Sequence, residues 1–151
     1  MKLFIYSVTV LVIILGVVLI AFSIASRKQP ELGLLTGQLQ PCPVTPNCVC
    51  SEYRVDDAYI EPLSYTDMPA EAWAKIKRVI SETKGIVLTE KADYLRIVYE
   101  TPLLRYVDDV ELRHDKNKQR IHIRSASRVG KSDLGANRKR VEKIRTAFNN
   151  L

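Results

Sequence analysis

The sequence predicts an α+β domain carried behind one N-terminal membrane-spanning helix. The domain is expected to have two layers, an antiparallel sheet with two helices on one face. Three observations carry this. Leu3 to Ala25 holds no charge and only Ser7, Thr9 and Ser23 as aliphatic hydroxyls. Two later segments repeat apolar residues at helical spacing. Four more are rich in β-branched and aromatic residues or alternate as strands do. The order reads βαββββα, the segregated pattern of an α+β domain.

Composition narrows the class. The chain has 151 residues, a net charge of +6, 46% hydrophobic and 26% charged residues and three Cys. Such a chain is too apolar for disorder and too poor in cysteine for a disulfide-dense mini-protein.

Taking the elements in order, the apolar run satisfies the roughly 20 residues that a helix needs to cross a hydrocarbon core of about 30 Å. Residues 1–27 are therefore expected to be a membrane anchor or an uncleaved signal. The alternative is a cleaved signal peptide, for which Ser23-Ile24-Ala25 offers a small-x-small site, but the run exceeds the roughly 7–15 apolar residues of a signal core. Residues 28–41, with Pro30, Gly33, Gly37 and Pro41, read as a linker. Residues 42–151 form the soluble domain.

Pro41, Pro43 and Pro46 make 41–50 a rigid irregular loop, because proline fixes φ and removes a donor. Cys42 and Cys48 flank it and are expected to pair as a disulfide, leaving Cys50 as an odd thiol. A metal site is not expected, since the three Cys lack a fourth ligand nearby. Ala58–Leu63 reads as a short edge strand stopped by Pro62. A helix opens at Met68-Pro69 with Asp67 as candidate N-cap, and Trp73, Ile76, Val79 and Ile80 form its stripe before Gly85. Residues 86–90, 93–100, 105–114 and 119–127 read as strands. A last helix, capped by Ser132-Asp133, buries Leu134, Val141, Ile144, Phe148 and Leu151.

Alternation in the last hairpin is informative. It places Tyr106, Asp108, Val110 and Leu112 on one face with Ile121, Ile123, Ser125 and Ser127. The other face carries Asp109, Glu111 and Arg113 with Arg120, His122, Arg124 and Arg128. Cross-strand ion pairing on a solvated face explains most of these, at about 0.2–1 kcal/mol per pair. Asp108 falls among apolar neighbours and needs a hydrogen-bonding partner. Gly130-Lys131-Ser132 is not a phosphate loop, because Ser125 stands where that pattern needs glycine. Arg124, Arg128 and Arg138 beside a helix N-terminus remain candidates for holding a carboxylate or phosphate. No cofactor motif and no catalytic constellation is present in the sequence.

Charge divides the chain. Residues 29–112 carry 8 basic and 14 acidic residues, whereas 113–151 carry 12 and 3. A basic final helix next to an anchor suits anionic headgroups or simply solvates one face. Nucleic acid is not an expected partner, since the basic segment has few aromatics for stacking.

Three blocks resemble one family: Pro41-Cys42-Pro43-x-x-Pro46-Asn47-Cys48-Val49, Tyr106–Glu111, and Ile121–Gly130 continuing to Ser132-Asp133-Leu134-Gly135-x-Asn137-Arg138-x-Arg140. Together they resemble the domain-of-unknown-function family 1499 (DUF1499) from about residue 39 to 148. Cys50 stands where a serine is common and Lys131 where an aromatic is common. The resemblance implies a cell-envelope or plastid protein with an N-terminal hydrophobic segment. Its motif residues Asp108, Asp109, Arg124, Ser125, Ser127, Arg128, Asp133, Asn137 and Arg138 are expected to form one hydrogen-bonded cluster.

The expected function is a membrane-anchored envelope protein that binds an anionic small molecule, a lipid headgroup or an envelope protein partner. The alternatives are an enzyme using the Asp/Arg cluster, with Asp108 or Asp109 as base, or a purely structural domain. Basic residues after the span favour a cytoplasmic domain, and the cysteine loop favours the oxidising side. The expectation adopted is an extracytoplasmic domain.

Overall fold

A computed structural model describes the backbone of residues 1–151 and every side chain except that of Asp56. The elements are α1 (Lys2–Ser26), β1 (Cys48–Cys50), a 3-10 turn (Asp56–Ala58), β2 (Leu63–Ser64), α2 (Pro69–Glu82), β3 (Ile86–Lys91), β4 (Tyr94–Glu100), β5 (Val107–Asp115), β6 (Arg120–Ser127) and α3 (Ala136–Asn149). One antiparallel sheet runs β3-β4-β5-β6, and both β1 and β2 pair along the outer side of β6.

The α+β architecture agrees with the sequence reading, and the differences have local causes. Cys48–Cys50, expected to be irregular, is a strand paired with Arg124–Ala126, because the three prolines all precede it. The expected strand at 58–63 is instead a 3-10 turn and a bridge between Cys50 and Tyr59, with the strand pair falling after Pro62 at Leu63–Ser64. Asp67 does not cap α2. Met68 occupies that position with no side-chain cap, and Asp67 pairs with Lys75 at 3.5 Å. Leu134 and Leu151 are exposed, not buried. Leu134 and Gly135 both have positive φ (52° and 78°), so α3 begins only at Ala136 and Leu134 projects away.

Alternation decides the two faces of the sheet. Leu95, Ile97, Tyr99, Val110, Leu112, Ile121 and Ile123 meet Ala72, Trp73, Ile76, Val79 and Ile80 of α2 and Val141, Ile144 and Phe148 of α3. The opposite face is charged, yet it is not solvated. Residues 28–41, expected to be a linker, contribute a cover. Leu39 is fully buried with Cys50 and Tyr94, beside Cys42 and Tyr53. Gly33 N–H donates to Glu111, 78 residues away.

Alpha-helix α1 is long and apolar enough to cross a membrane. Its last residue is held by the domain. Ser26 is fully buried, its Oγ accepts the N–H of Val107 at 3.1 Å, and its carbonyl accepts Arg128 Nη1 at 3.1 Å.

Candidate functional site

The residues expected to form one cluster lie on both sides of the sheet. Asp108 and Asp109 are adjacent on β5, and a pleated strand turns adjacent side chains to opposite faces.

On the helix side, Asn137 is the hub. It is fully buried, and all four of its side-chain bonding positions are used. Its Oδ1 accepts Ser125 Oγ and Arg140 Nη1, both at 2.6 Å. Its Nδ2 donates to Asn47 O at 2.9 Å and to Ser127 Oγ at 3.0 Å. Arg140 continues to Asp108 at 2.5 Å and lies over the Tyr99 ring. Asp108 therefore finds its partner in an arginine of the last helix. Asn47 also donates to Gly130 O at 2.7 Å, so this network staples the proline loop, β6 and α3 together.

Asp133 closes the same end. Its carboxylate accepts the N–H of Gly135 at 2.9 Å and of Asn137 at 2.8 Å. Ala136 N–H goes to the Asp133 carbonyl, so most of the free N–H groups that made this helix start a candidate anion site are already taken by Asp133 itself.

On the opposite side runs a ladder of three carboxylates. Asp109, 2% exposed, accepts Arg96 (Nη2 at 3.1 Å) and Arg128 (Nε at 2.6 Å, Nη2 at 2.8 Å). Glu111, fully buried, accepts Tyr94 OH at 2.7 Å, Gly33 N–H at 3.1 Å and Arg124 Nη1 at 3.2 Å. Glu52 receives Arg113 and the N–H of Leu39, with His122 Nδ1 at 3.8 Å. Burial holds the His122 imidazole below its ordinary pKa. The Arg113 cation acts the same way, and the Glu52 carboxylate partly opposes it. Burial likewise pushes the phenol of Tyr94 far up, with the Glu111 carboxylate adding to it.

Arg124 and Arg128 are therefore both committed to carboxylates of this chain, in a layer roofed by the segment that contains Leu39. Arg128 also reaches the carbonyls of Ser26 and Arg27, at 3.1 and 3.4 Å, at the open end of α1. A cation there complements the helix's terminal carbonyls. Arg124, Arg128 and Arg138 do not converge. Arg138 is exposed on the first turn of α3, donating through Nη2 to Asp57 O at 2.5 Å and Tyr59 O at 2.9 Å.

What Arg138 borders is a cleft of about 640 Å³ along the β1 edge. That volume lies within the usual range of ligand sites, about 300–1,000 Å³. Its walls are mainly apolar, with Pro41, Pro43, Val44, Pro46, Tyr53 and Ala58 prominent. The Cys42–Cys48 disulfide lies in the wall, with Cα atoms 5.6 Å apart. Cys50 belongs to the same wall as a buried free thiol, and burial raises its pKa above the ordinary value. A neutral, enclosed thiol is a weak nucleophile. Among the described residues, no group of three His, Cys, Asp or Glu side chains is placed to hold a metal ion.

Two lining segments, 41–46 and 132–135, belong to the end of the sheet where α1 docks: Cys48 pairs with Ala126, and Arg128 reaches Ser26. Sequence reasoning named the disulfide and Arg138 but not this cleft. It also passed over Arg96 and Asn47 as partners, and Ser26, which lies just past the apolar run.

The family model "Protein of unknown function (DUF1499)" matches residues 38–148. No curated protein matches the chain.

Proposed function

The chain belongs to the DUF1499 family, and on that premise we propose that it is a membrane-anchored binding domain whose β1-edge cleft takes the apolar part of an amphiphile from the adjoining bilayer. The observation that carries this reading is the cleft itself. It is apolar, of ligand size, and bordered by loops at the end of the domain where α1 is docked. The reading replaces a three-arginine anion site with a hydrophobic one. Arg124 and Arg128 are already neutralised by Glu111 and Asp109, and exposed Arg138 stands at the rim, where a polar head would lie.

The anchor is retained in this account. Buried Ser26 and the carbonyls accepting from Arg128 tie the end of α1 into the domain. The disulfide supports an extracytoplasmic location, where such a bond persists.

The test uses the full-length protein in vesicles containing a phosphatidylglycerol with a diazirine in its acyl chain. On illumination, the expected adducts fall on residues 41–58 and 132–138 and are lost in Ala58→Trp, which fills the cleft. Adducts confined to α1 in the parent protein would refute the reading.

A further inference from the structure

We infer that the β4–β5 loop, residues 101–106, is a second membrane-inserted element that dips into the bilayer beside α1. The inference rests on α1 being a retained span.

Depth is the first argument. Tyr106 reaches along α1 and its hydroxyl donates to the carbonyl of Leu19 at 3.4 Å. Leu19 lies six residues inside the end of the apolar run at Ala25, a distance of about 9 Å at 1.5 Å per residue. The positions of α1 that are not fully exposed in its second half are Gly16, Leu19, Ser23 and Ser26, one face at helical spacing. The loop therefore runs alongside the part of α1 that must itself be in the membrane.

The second argument is chemistry. The loop reads Thr101-Pro102-Leu103-Leu104-Arg105-Tyr106, and Leu103 at its apex is 89% exposed. A lone exposed leucine on a soluble surface needs no explanation. This one is carried by Tyr106 alongside α1, to the boundary of headgroups and acyl chains. The neck of the loop is closed on itself: Thr101 N–H donates to Tyr106 O, Arg105 N–H to Thr101 O, and Tyr106 N–H to Thr101 Oγ1, at 2.9–3.0 Å, whereas the apical N–H groups of Leu103 and Leu104 have no acceptor among the described residues. Open backbone groups keep the apex out of the hydrocarbon interior, so the loop seats its leucines at the boundary of headgroups and acyl chains, where water still reaches the backbone.

Charge at the neck fits the same placement. Arg105 folds back through Nε and Nη2 to Glu100 at 3.1 and 3.0 Å, and Glu100 also faces Arg27 at 4.0 Å. The guanidinium is thus returned to headgroup level, as basic side chains near a membrane interface are.

The test labels single cysteines with the environment-sensitive dye NBD in the full-length protein, reconstituted in phosphatidylcholine–phosphatidylglycerol vesicles. The sites are Leu103→Cys at the loop apex, Ile14→Cys within α1 and Lys118→Cys on the β5–β6 turn. Dye at Leu103 is expected to emit at shorter wavelength than at Lys118, and to be quenched, like Ile14, by lipids carrying a nitroxide on the acyl chain. Quenching at Ile14 without quenching at Leu103 would overturn the loop's insertion and leave the anchor standing. A blue-shifted but unquenched Leu103 dye would likewise overturn it, since it reports burial in protein. No quenching at Ile14 would overturn the anchor, and the loop's insertion with it.

Discussion

Replacing Asp109 with alanine removes one carboxylate and strands two guanidiniums. Asp109 is 2% exposed and takes N–H bonds from Arg96 and Arg128, whose side chains are 12% and 5% exposed. Removing one partner of a buried ion pair costs about 3–5 kcal/mol, because the remaining charge stays desolvated. Two features moderate the loss. Arg128 keeps the carbonyls of Ser26 and Arg27, and Arg96 is partly exposed. The expected cost is therefore at the lower bound, about 3 kcal/mol, equivalent to roughly 10 °C in melting temperature for a domain of this size. Urea unfolding of the full-length protein in detergent, followed by far-UV circular dichroism, measures it. A loss under about 1 kcal/mol, or a gain in stability, would refute the structural assignment and mark Asp109 as retained for a site.

Three further predictions follow from local geometry. Gly85→Ala places a Cβ 2.8 Å from Ile80 Cγ2, Ile97 Cγ2 and Tyr99 Cζ, all in the packed core, so the variant should lose about 1–3 kcal/mol in the same urea titration; unchanged stability would contradict that packing. Burial lowers the pKa of both His114, stacked on Trp73 and bonded to Tyr65, and His122. The unfolded chain binds these protons near pH 6.5 and the folded chain only at lower pH, so stability is complete above about 6.5 and falls as pH drops through the interval below it. Unfolding midpoints at about pH 7.5 and about 5.5 check the sign, and a higher midpoint in the acid sample would be wrong for this account. Cys50, enclosed and with its thiol pushed up, should resist a water-soluble maleimide in the native protein and react after unfolding; fast native labelling would contradict its burial.

How far the sequence could be read depended on the range of each interaction. Strand alternation is local, with period two, so the two faces of β5 and β6 and the acid-opposite-base ladder were legible from residues 106–128. The same rule splits Asp108 from Asp109, which is why residues contiguous in a motif became two networks separated by the sheet. The roof over the ladder was not legible. Its contacts, Gly33 to Glu111 and Leu39 to Glu52, connect an aperiodic segment to residues far along the chain. The start of α3 was misread because Leu134 fits the apolar stripe, yet positive φ at Leu134 and Gly135 delays the helix to Ala136. The short strand Cys48–Cys50 was hidden behind the prolines that precede it. The cleft arises where the proline loop, the 53–58 segment and the first turn of α3 meet, and no single stretch of sequence signals it.

The central claim, an apolar cleft that holds a membrane amphiphile, is tested most directly by native mass spectrometry of the full-length protein released gently from its own membrane. The account predicts an additional species of lipid mass on the parent chain that is absent from Ala58→Trp. The chain mass itself should include residues 1–25. A parent protein with no adduct, or an adduct equally abundant on Ala58→Trp, would contradict the claim.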